Sequence, residues 1–505
     1  MMRVLLALLV LVIGITCSYI FVYSVLLTAT TPATVKPSRV ILSNDVHNDN
    51  HGAIKTIVGS AIKSLFETLK NFECILDDNV NDHIITNNEY WQKVGDKEVY
   101  TYNAFYDNRY TYFGENFHYV RVIGMVMDKL PNGTFYCYLW YHNAKSAIVV
   151  EAEAEKIWVE QWNRNADSAT FHAFLFSCPI PLKLRDSKTY PEQVSISWSL
   201  CDRVTNLLDV NKENMFARLD GKPKKKYAIC VKGMDFEEDI SLKLIEWIEL
   251  NLILGADKIY VYTFHIHHNI LKVIDYYVSI GKMDVTPLTL VGDQPNVPSQ
   301  RSLYLQRALW QKRRNELVPY NDCLYRNIYK YNFVIPIDID EVIIPVKHLT
   351  WSQVFIDFFA MQPNALKKYA SFSVNNAYFF DNFKTNASFS NDPNSKLYHM
   401  MNHRIRSANF SLPGHSVKSF VATKNTKTVL NHYTLNPLYA RLKPSYLMSS
   451  SDFQMNHYKK KCPRDMYSQC QSKFLKYTKT DNIISKYEKD LKSRVEKVAS
   501  HLNLI

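Results

Sequence analysis

The sequence predicts an α/β fold: a parallel-rich sheet with helices on both faces, preceded by a β-rich, sandwich-like module and an N-terminal transmembrane helix. Three features lead there. Residues 4–27 are apolar and uncharged. Short, partly alternating segments between turn signals fill residues 71–222. From residue 227 strand-like and helix-like segments alternate, the pattern of βαβ units. The 505 residues imply several domains. With 47% hydrophobic and 21% charged residues, the chain has a globular balance that excludes a disordered or collagen-like protein.

The N-terminal run exceeds the ~20 residues needed to cross a bilayer core, and the ~7–15 of a cleaved signal. It reads as an uncleaved signal anchor after a tail of residues 1–3. Residues 28–70 read as a stem, polar and rich in Thr and Pro at first, with a short helix over 53–70. Strands are expected over 98–112, 120–127, 134–141, 147–152, 171–176 and 193–199, making the β-rich module of residues 71–222. The basic run 222–226 marks a boundary. In residues 223–457, strands at 227–231, 258–264, 283–290 and 332–337 alternate with helices at 239–254, 269–280, 300–316 and 320–331. Gly255 and Gly281 stop the first two helices. Residues 458–505 form a basic, helical, peripheral segment.

The net charge is +12. No dense basic tract accompanies it, so the runs at 222–226 and 459–461 read as solvated faces or as attraction to anionic ligands, not as a nucleic-acid surface. Asn132-Gly-Thr134, Asn386-Ala-Ser388 and Asn409-Phe-Ser411 are glycosylation acceptor triplets. Of nine cysteines, all but Cys17 lie outside the apolar run. The local pair Cys462–Cys470 is expected to bond, and Cys137–Cys178 with it; the other pairings stay open. The absence of Cys-x-x-Cys argues against a zinc ribbon or a thioredoxin-type site. Dinucleotide, phosphate-loop, nucleophile-elbow and His-Glu-x-x-His signatures are absent too.

The residues that carry chemistry are Asp338-Ile339-Asp340-Glu341, directly after an apolar strand. Ligands in such sheets bind beyond the carboxyl ends of the strands. Two aspartates two residues apart in extended backbone share a face and suit a hard divalent ion bound by oxygen together with phosphate. His432 is a candidate third ligand, since neutral imidazole binds manganese-like ions. The cluster His265-Ile266-His267-His268 reads as a loop lining the ligand crevice.

Several stretches resemble glycosyltransferase family 92. They are Glu246-Trp247-Ile248-Glu249 with Leu254-Gly255, Asn321-Asp322-Cys323-Leu324-Tyr325-Arg326, and Pro336-Ile337-Asp338-Ile339-Asp340-Glu341. Upstream, Tyr102-Asn103-Ala104-Phe105-Tyr106-Asp107-Asn108-Arg109, Val120-Arg121-Val122-Ile123 and Cys178-Pro179-Ile180-Pro181 are similar as well. The resemblance implies a GT-A type catalytic domain and a single-pass type II Golgi membrane protein with its catalytic part in the lumen. It implies manganese-dependent, inverting transfer of galactose from UDP-galactose to a glycan acceptor such as the core fucose of N-glycans. In that reading Asp338 contacts the sugar nucleotide, Asp340 binds the metal, and His432 is the later metal ligand. Two stretches depart from the family pattern, Ser299-Gln300-Arg301 and Thr263-Phe264-His265, and both bear on the donor pocket. Inversion needs a general base on the acceptor hydroxyl. Asp381 and Asp392 are candidates, with Asp381 preferred because it follows an aromatic, strand-like run. Trp351 and Trp310 are offered to sugar faces or to the core. Two other classes compete: a catalytically silent lumenal glycan-binding protein, and a metal-dependent phosphoesterase. The latter needs a fuller set of Asp, His and Asn ligands than the sequence offers.

Overall fold

Strands in the first module are long where Tyr, Phe and Val alternate, and they close on themselves. The computed structural model describes residues 72–74, 80–112, 114–127, 133–144, 146–162, 170–185, 190–212, 223–383, 397–462 and 467–505. These fall in one compact unit, Gly59–Ile505. The anchor 4–27, the stem, Asn132, Asn386 and Asp392 lie outside the described residues. Among the described residues no helix is long and apolar enough to cross a membrane.

The first module contains β1 (Phe72–Cys74), β2 (Thr86–Asn88), β3 (Trp91–Lys93), β4 (Val99–Tyr112), β5 (Glu115–Met127), β6 (Phe135–Trp140), β7 (Ala147–Lys156), β8 (Phe171–Pro179), β9 (Gln193–Ser197) and β10 (Leu208–Asn211). They pair in the order β10-β9-β6-β7-β8-β5-β4-β3-β2, and β10 also pairs with β4, so the layers join at both sides. β7 belongs to both layers: Ala152 and the residues before it pair with β6, while Glu153 to Lys156 pair with β8. Val120, Val122, Leu139, Val150 and Ile196 fill the space between. A Cβ on Gly124 would strike the Tyr100 carbonyl oxygen, so β4 and β5 approach only over a glycine. Cys137–Cys178 forms as expected, and Cys74–Cys201 adds a second tie.

The second part runs β11 (Lys225–Phe236), α1 (Ser241–Leu254), β12 (Lys258–Ile266), α2 (His268–Ser279), β13 (Met283–Pro287), α3 (Pro298–Arg307), α4 (Leu309–Asn315), α5 (Leu317–Asn327), β14 (Tyr331–Pro336) and β15 (Glu341–Pro345). It continues with α6 (Trp351–Met361), β16 (Ser371–Val374), β17 (Asn376–Phe380), β18 (Ile405–Ser407), β19 (Lys418–Ala422), β20 (Thr426–Val429), β21 (Thr434–Pro437), β22 (Tyr446–Leu447), β23 (Phe453–Lys459), β24 (Thr478–Thr480) and α7 (Glu488–His501). The main sheet has the order β13-β12-β11-β14-β19-β16-β22. β13, β12, β11 and β14 are parallel, and β19 is antiparallel to β14 and β16. A second sheet, β15-β23-β17, stands at the carboxyl end of β14.

The expected single helix over 300–316 is broken at Ala308, whose φ of −94° and ψ of 61° leave the helical region. The break turns α4 toward the β-rich module. There Gln311 bonds both the N–H and the C=O of Phe171, and the Arg314 guanidinium stacks on Trp158. The expected strand 283–290 stops at Pro287, which has no N–H to extend the ladder. Gly255, at φ +117°, ends α1 as expected.

The two parts are not separate bodies joined by a linker. Tyr102 and Phe105 of β4 and Ile123 of β5 share one core with Tyr262, Leu324 and Tyr325 of the α/β part. The C-terminal segment is also integral. β23 crosses residues 457 and 458, and Leu491, Val495 and Val498 of α7 are buried in the same core as Trp247 and Ile248 of α1.

Candidate active site

The Asp338 segment leaves the sheet at the carboxyl end of β14. The Ile337 N–H still bonds the Cys230 carbonyl of β11. The chain then turns: Glu341 N–H donates to the Asp338 carbonyl at 3.1 Å. The two aspartates therefore sit in a tight turn, not in the extended backbone the sequence suggested. They nonetheless line one cleft together, because the turn stands on the rim of the parallel sheet.

Lysines from three strands meet this turn. Lys232 of β11 lies 3.2 Å from Asp338 and 2.9 Å from Glu316. Lys418 of β19 lies 3.2 Å from both Asp338 and Glu341. Lys459 of β23 lies 2.9 Å from Asp340. The Tyr320 hydroxyl donates to Asp338 at 3.3 Å, and His457 stands between Asp340 and Glu341. Burial pushes the Asp338 carboxyl up, but the ammoniums of Lys232, Lys418 and Lys459 override it and hold it well below the usual range. Burial likewise opposes Asp340, and His457 and Lys459 keep its carboxyl low. Both aspartates are ionised at neutral pH, as metal or phosphate chemistry requires.

His432 faces the same region. Burial, reinforced by the Lys418 charge, lowers its imidazole to about 3, so the ring is neutral. Its Nδ1 meets the Val417 carbonyl at 2.9 Å. With Nδ1–H donating there, Nε2 keeps its lone pair, the arrangement of a metal-binding histidine with its outer hydrogen bond made.

Two clefts meet at Lys232, Asp338 and Lys459. The first, about 470 Å³, runs over the ends of β11 and α1, with Lys243, Lys460 and Lys461 along it. The second, about 660 Å³, contains Asp338, Glu341, Glu316 and His432, and its wall carries Trp158, Trp162 and Trp310. Trp158 and Trp162 come from the β-rich module, and the Trp162 ring meets His432 edge-on at 6.1 Å. Trp351, by contrast, is a core residue whose Nε1–H donates to the Ile343 carbonyl. Asp381, at the end of β17, is not among the residues lining either cleft; it pairs with His403 at 2.9 Å. Of the 265–268 cluster, His267 caps α2 by accepting the Asn269 N–H, and none of these histidines lines either cleft.

The stretches that depart from the family pattern touch one another. The Arg301 guanidinium lies 5.0 Å over the Phe264 ring and forks onto Asp235 at 2.7 and 3.0 Å. A Cβ on Gly233 would strike the same ring. The Ser299-Gln300-Arg301 and Thr263-Phe264-His265 segments thus meet behind the end of β11.

Sequence reasoning missed Lys232, Lys418, Glu316, His457 and Lys459 as site residues, whereas Glu341 belongs to the block it singled out. Lys459 belongs to a run visible in the sequence and read as a solvated face. The others carry no local signal.

The chain is 30% identical over 125 residues to the Beta-1,4-galactosyltransferase galt-1 of Caenorhabditis elegans, a match that covers 24% of this chain and 26% of that relative. The match thus spans about a quarter of the relative's length. The model of Glycosyltransferase family 92 matches residues 225–497, from the start of β11 into α7, more than half of the chain and the whole of the Asp338 site. The chain belongs to glycosyltransferase family 92.

Proposed function

We propose that this protein is a metal-dependent, inverting hexosyltransferase that moves galactose from UDP-galactose to a glycan acceptor, such as the core fucose of N-glycans. The observation that carries the reading is the ionised Asp338–Asp340 turn on the rim of the parallel sheet, with a neutral His432 in the second cleft that Asp338 also lines. A likeness to a β-1,4-galactosyltransferase supports the choice of sugar. The strand order, with three crossovers feeding parallel strands and then an antiparallel β19, supports a GT-A type sheet.

The ligand atoms of Asp338, Asp340 and His432 do not gather within 4.8 Å of one another; Asp338 and Asp340 would hold a manganese ion through oxygen, and His432, in the second cleft with Asp338, would complete the set. When bound, it offsets the negative charge of the departing diphosphate. The chain supplies the rest. Lys232, Lys459 and the neighbouring Lys460 and Lys461 place positive charge along the first cleft, where a nucleoside diphosphate would lie. The second cleft receives the acceptor against its tryptophan wall. Glu316 stands in that cleft, outside the Asp338–Asp340 pair, and serves as the general base in place of Asp381. It takes the hydroxyl proton while the acceptor oxygen bonds to C1 and the C1–phosphate oxygen bond breaks. Residues 4–27 would anchor the protein in the Golgi membrane with this site in the lumen.

Incubation of residues 45–505 with UDP-galactose, manganese and a core-fucosylated glycan tests the reading. The expected product carries one added galactose in β linkage. An α-linked product contradicts inversion, and addition of a different sugar contradicts the donor assignment.

A further inference from the structure

Asp381, His399 and His403 lie apart from the Asp338 turn, and one ligand atom from each falls within 4.8 Å of the others. His403 is buried, only 2% exposed. Its Nδ1 is 2.7 Å from the His399 carbonyl, and its Nε2 is 2.9 Å from Asp381 Oδ1. Both neighbours are acceptors. With Nδ1–H donating to the carbonyl, Nε2 faces the Asp381 carboxylate, and a proton or a metal cation can join the two. A backbone carbonyl on the remote nitrogen is the usual outer partner of a metal-bound histidine.

The geometry points to a zinc site built from Asp381, His399 and His403. Two imidazoles and one carboxylate suit zinc better than manganese, magnesium or calcium, which favour oxygen-rich shells. Three protein ligands leave a further position for water. The ligands are held before any ion arrives. Glu246 of α1 accepts the backbone N–H groups of His399, Met400 and Met401 at 2.6, 2.8 and 2.9 Å, fixing the turn that carries the histidines. The His399 and His403 rings meet edge to face at 4.7 Å. The ion would clip the end of β17 to this turn. His399 and Met400 also line the first cleft, so the clip braces one wall of it. The site does not depend on the activity assigned to Asp338 and Asp340.

The test uses the secreted protein, stripped with chelator and reloaded with zinc, and elemental analysis after desalting. One tightly held zinc per chain is expected in the wild type and in Asp340→Ala, and none in His403→Ala or His399→Ala. His399 is half-buried, so its truncation is the variant that keeps the test sound if His403→Ala does not fold. Cobalt substitution should give the intense visible bands of a tetrahedral site in the wild type and in Asp340→Ala, and not in His399→Ala. Zinc should also raise the thermal midpoint of Asp340→Ala and leave that of His399→Ala unchanged. Folded wild-type protein that retains no zinc, or equal retention in His399→Ala, would overturn the assignment.

Discussion

Asn103 Nδ2 donates to Asp322 Oδ1 at 2.7 Å, joining the β-rich module to the helix that precedes the catalytic strand. Asp322 is fully buried and also accepts from the Tyr262 hydroxyl and Arg326. The same two sequence motifs meet again nearby. The Phe105 ring stacks on Tyr325 at 5.7 Å, and just beyond the second motif the Tyr329 hydroxyl exchanges hydrogen bonds with Asn108. Cys323, next to Asp322, bonds to Cys230 in the middle of β11. These two motifs therefore hold the scaffold together and line neither cleft.

Removing either partner should destabilise the fold without touching the clefts. Asp322→Ala leaves Arg326 without its carboxylate and should cost about 3–5 kcal/mol. Asn103→Ala should cost about 1–3 kcal/mol. Urea unfolding measures both. Equal and small losses would mean that the interface is not a cooperative part of the core.

A second ion cluster makes stability depend on acid. Asp107 is buried between Arg109, which forks onto it at 2.8 and 2.9 Å, and Arg121 at 3.3 Å. Burial pushes its carboxyl up, but Arg109 and then Arg121 override it and hold it well below the usual range. A depressed native value adds stability that is fully present above the unfolded value, about pH 4, and is lost as pH falls through the native one. Urea midpoints should fall as pH drops below about 4. Asp107→Asn should start lower and fall less steeply, and parallel curves would assign the acid sensitivity elsewhere.

The alternation of apolar runs and amphipathic segments from residue 227 sufficed to place Asp338 at the rim of a parallel sheet. Tight local periodicity and the Gly255 stop made those elements readable. The cage around the aspartates was not readable, because Lys232, Lys418 and Lys459 arrive from strands scattered along the chain. Nothing local distinguishes Lys418 from any other lysine. The modular reading of residues 71–222 missed the core shared between β4, β5 and α5, since the hydrophobic faces that meet there belong to separate segments. Cys230–Cys323 and Cys74–Cys201 close loops of 93 and 127 residues, where spacing gives no guidance.

The tryptophan wall belongs to the second cleft, the one proposed for the acceptor. Trp162 lines the second cleft and not the first. Trp162→Ala should raise the acceptor KM about tenfold, the scale of one lost stacking contact, with the donor KM unchanged. Steady-state kinetics with each substrate varied in turn reads this split. A change in donor KM alone would reverse the assignment of the clefts.

The central claim is that the Asp338–Asp340 turn serves metal-dependent transfer from a nucleotide sugar. The most direct measurement is UDP release by residues 45–505 across a panel of UDP-sugars, with manganese and fucosylated N-glycans, beside Asp340→Ala. The account predicts release with UDP-galactose, abolished by chelator and reduced at least about a thousandfold in folded Asp340→Ala, as for loss of a group acting in the transition state. Release that persists in Asp340→Ala, or no release from any donor by folded wild-type protein, would contradict it.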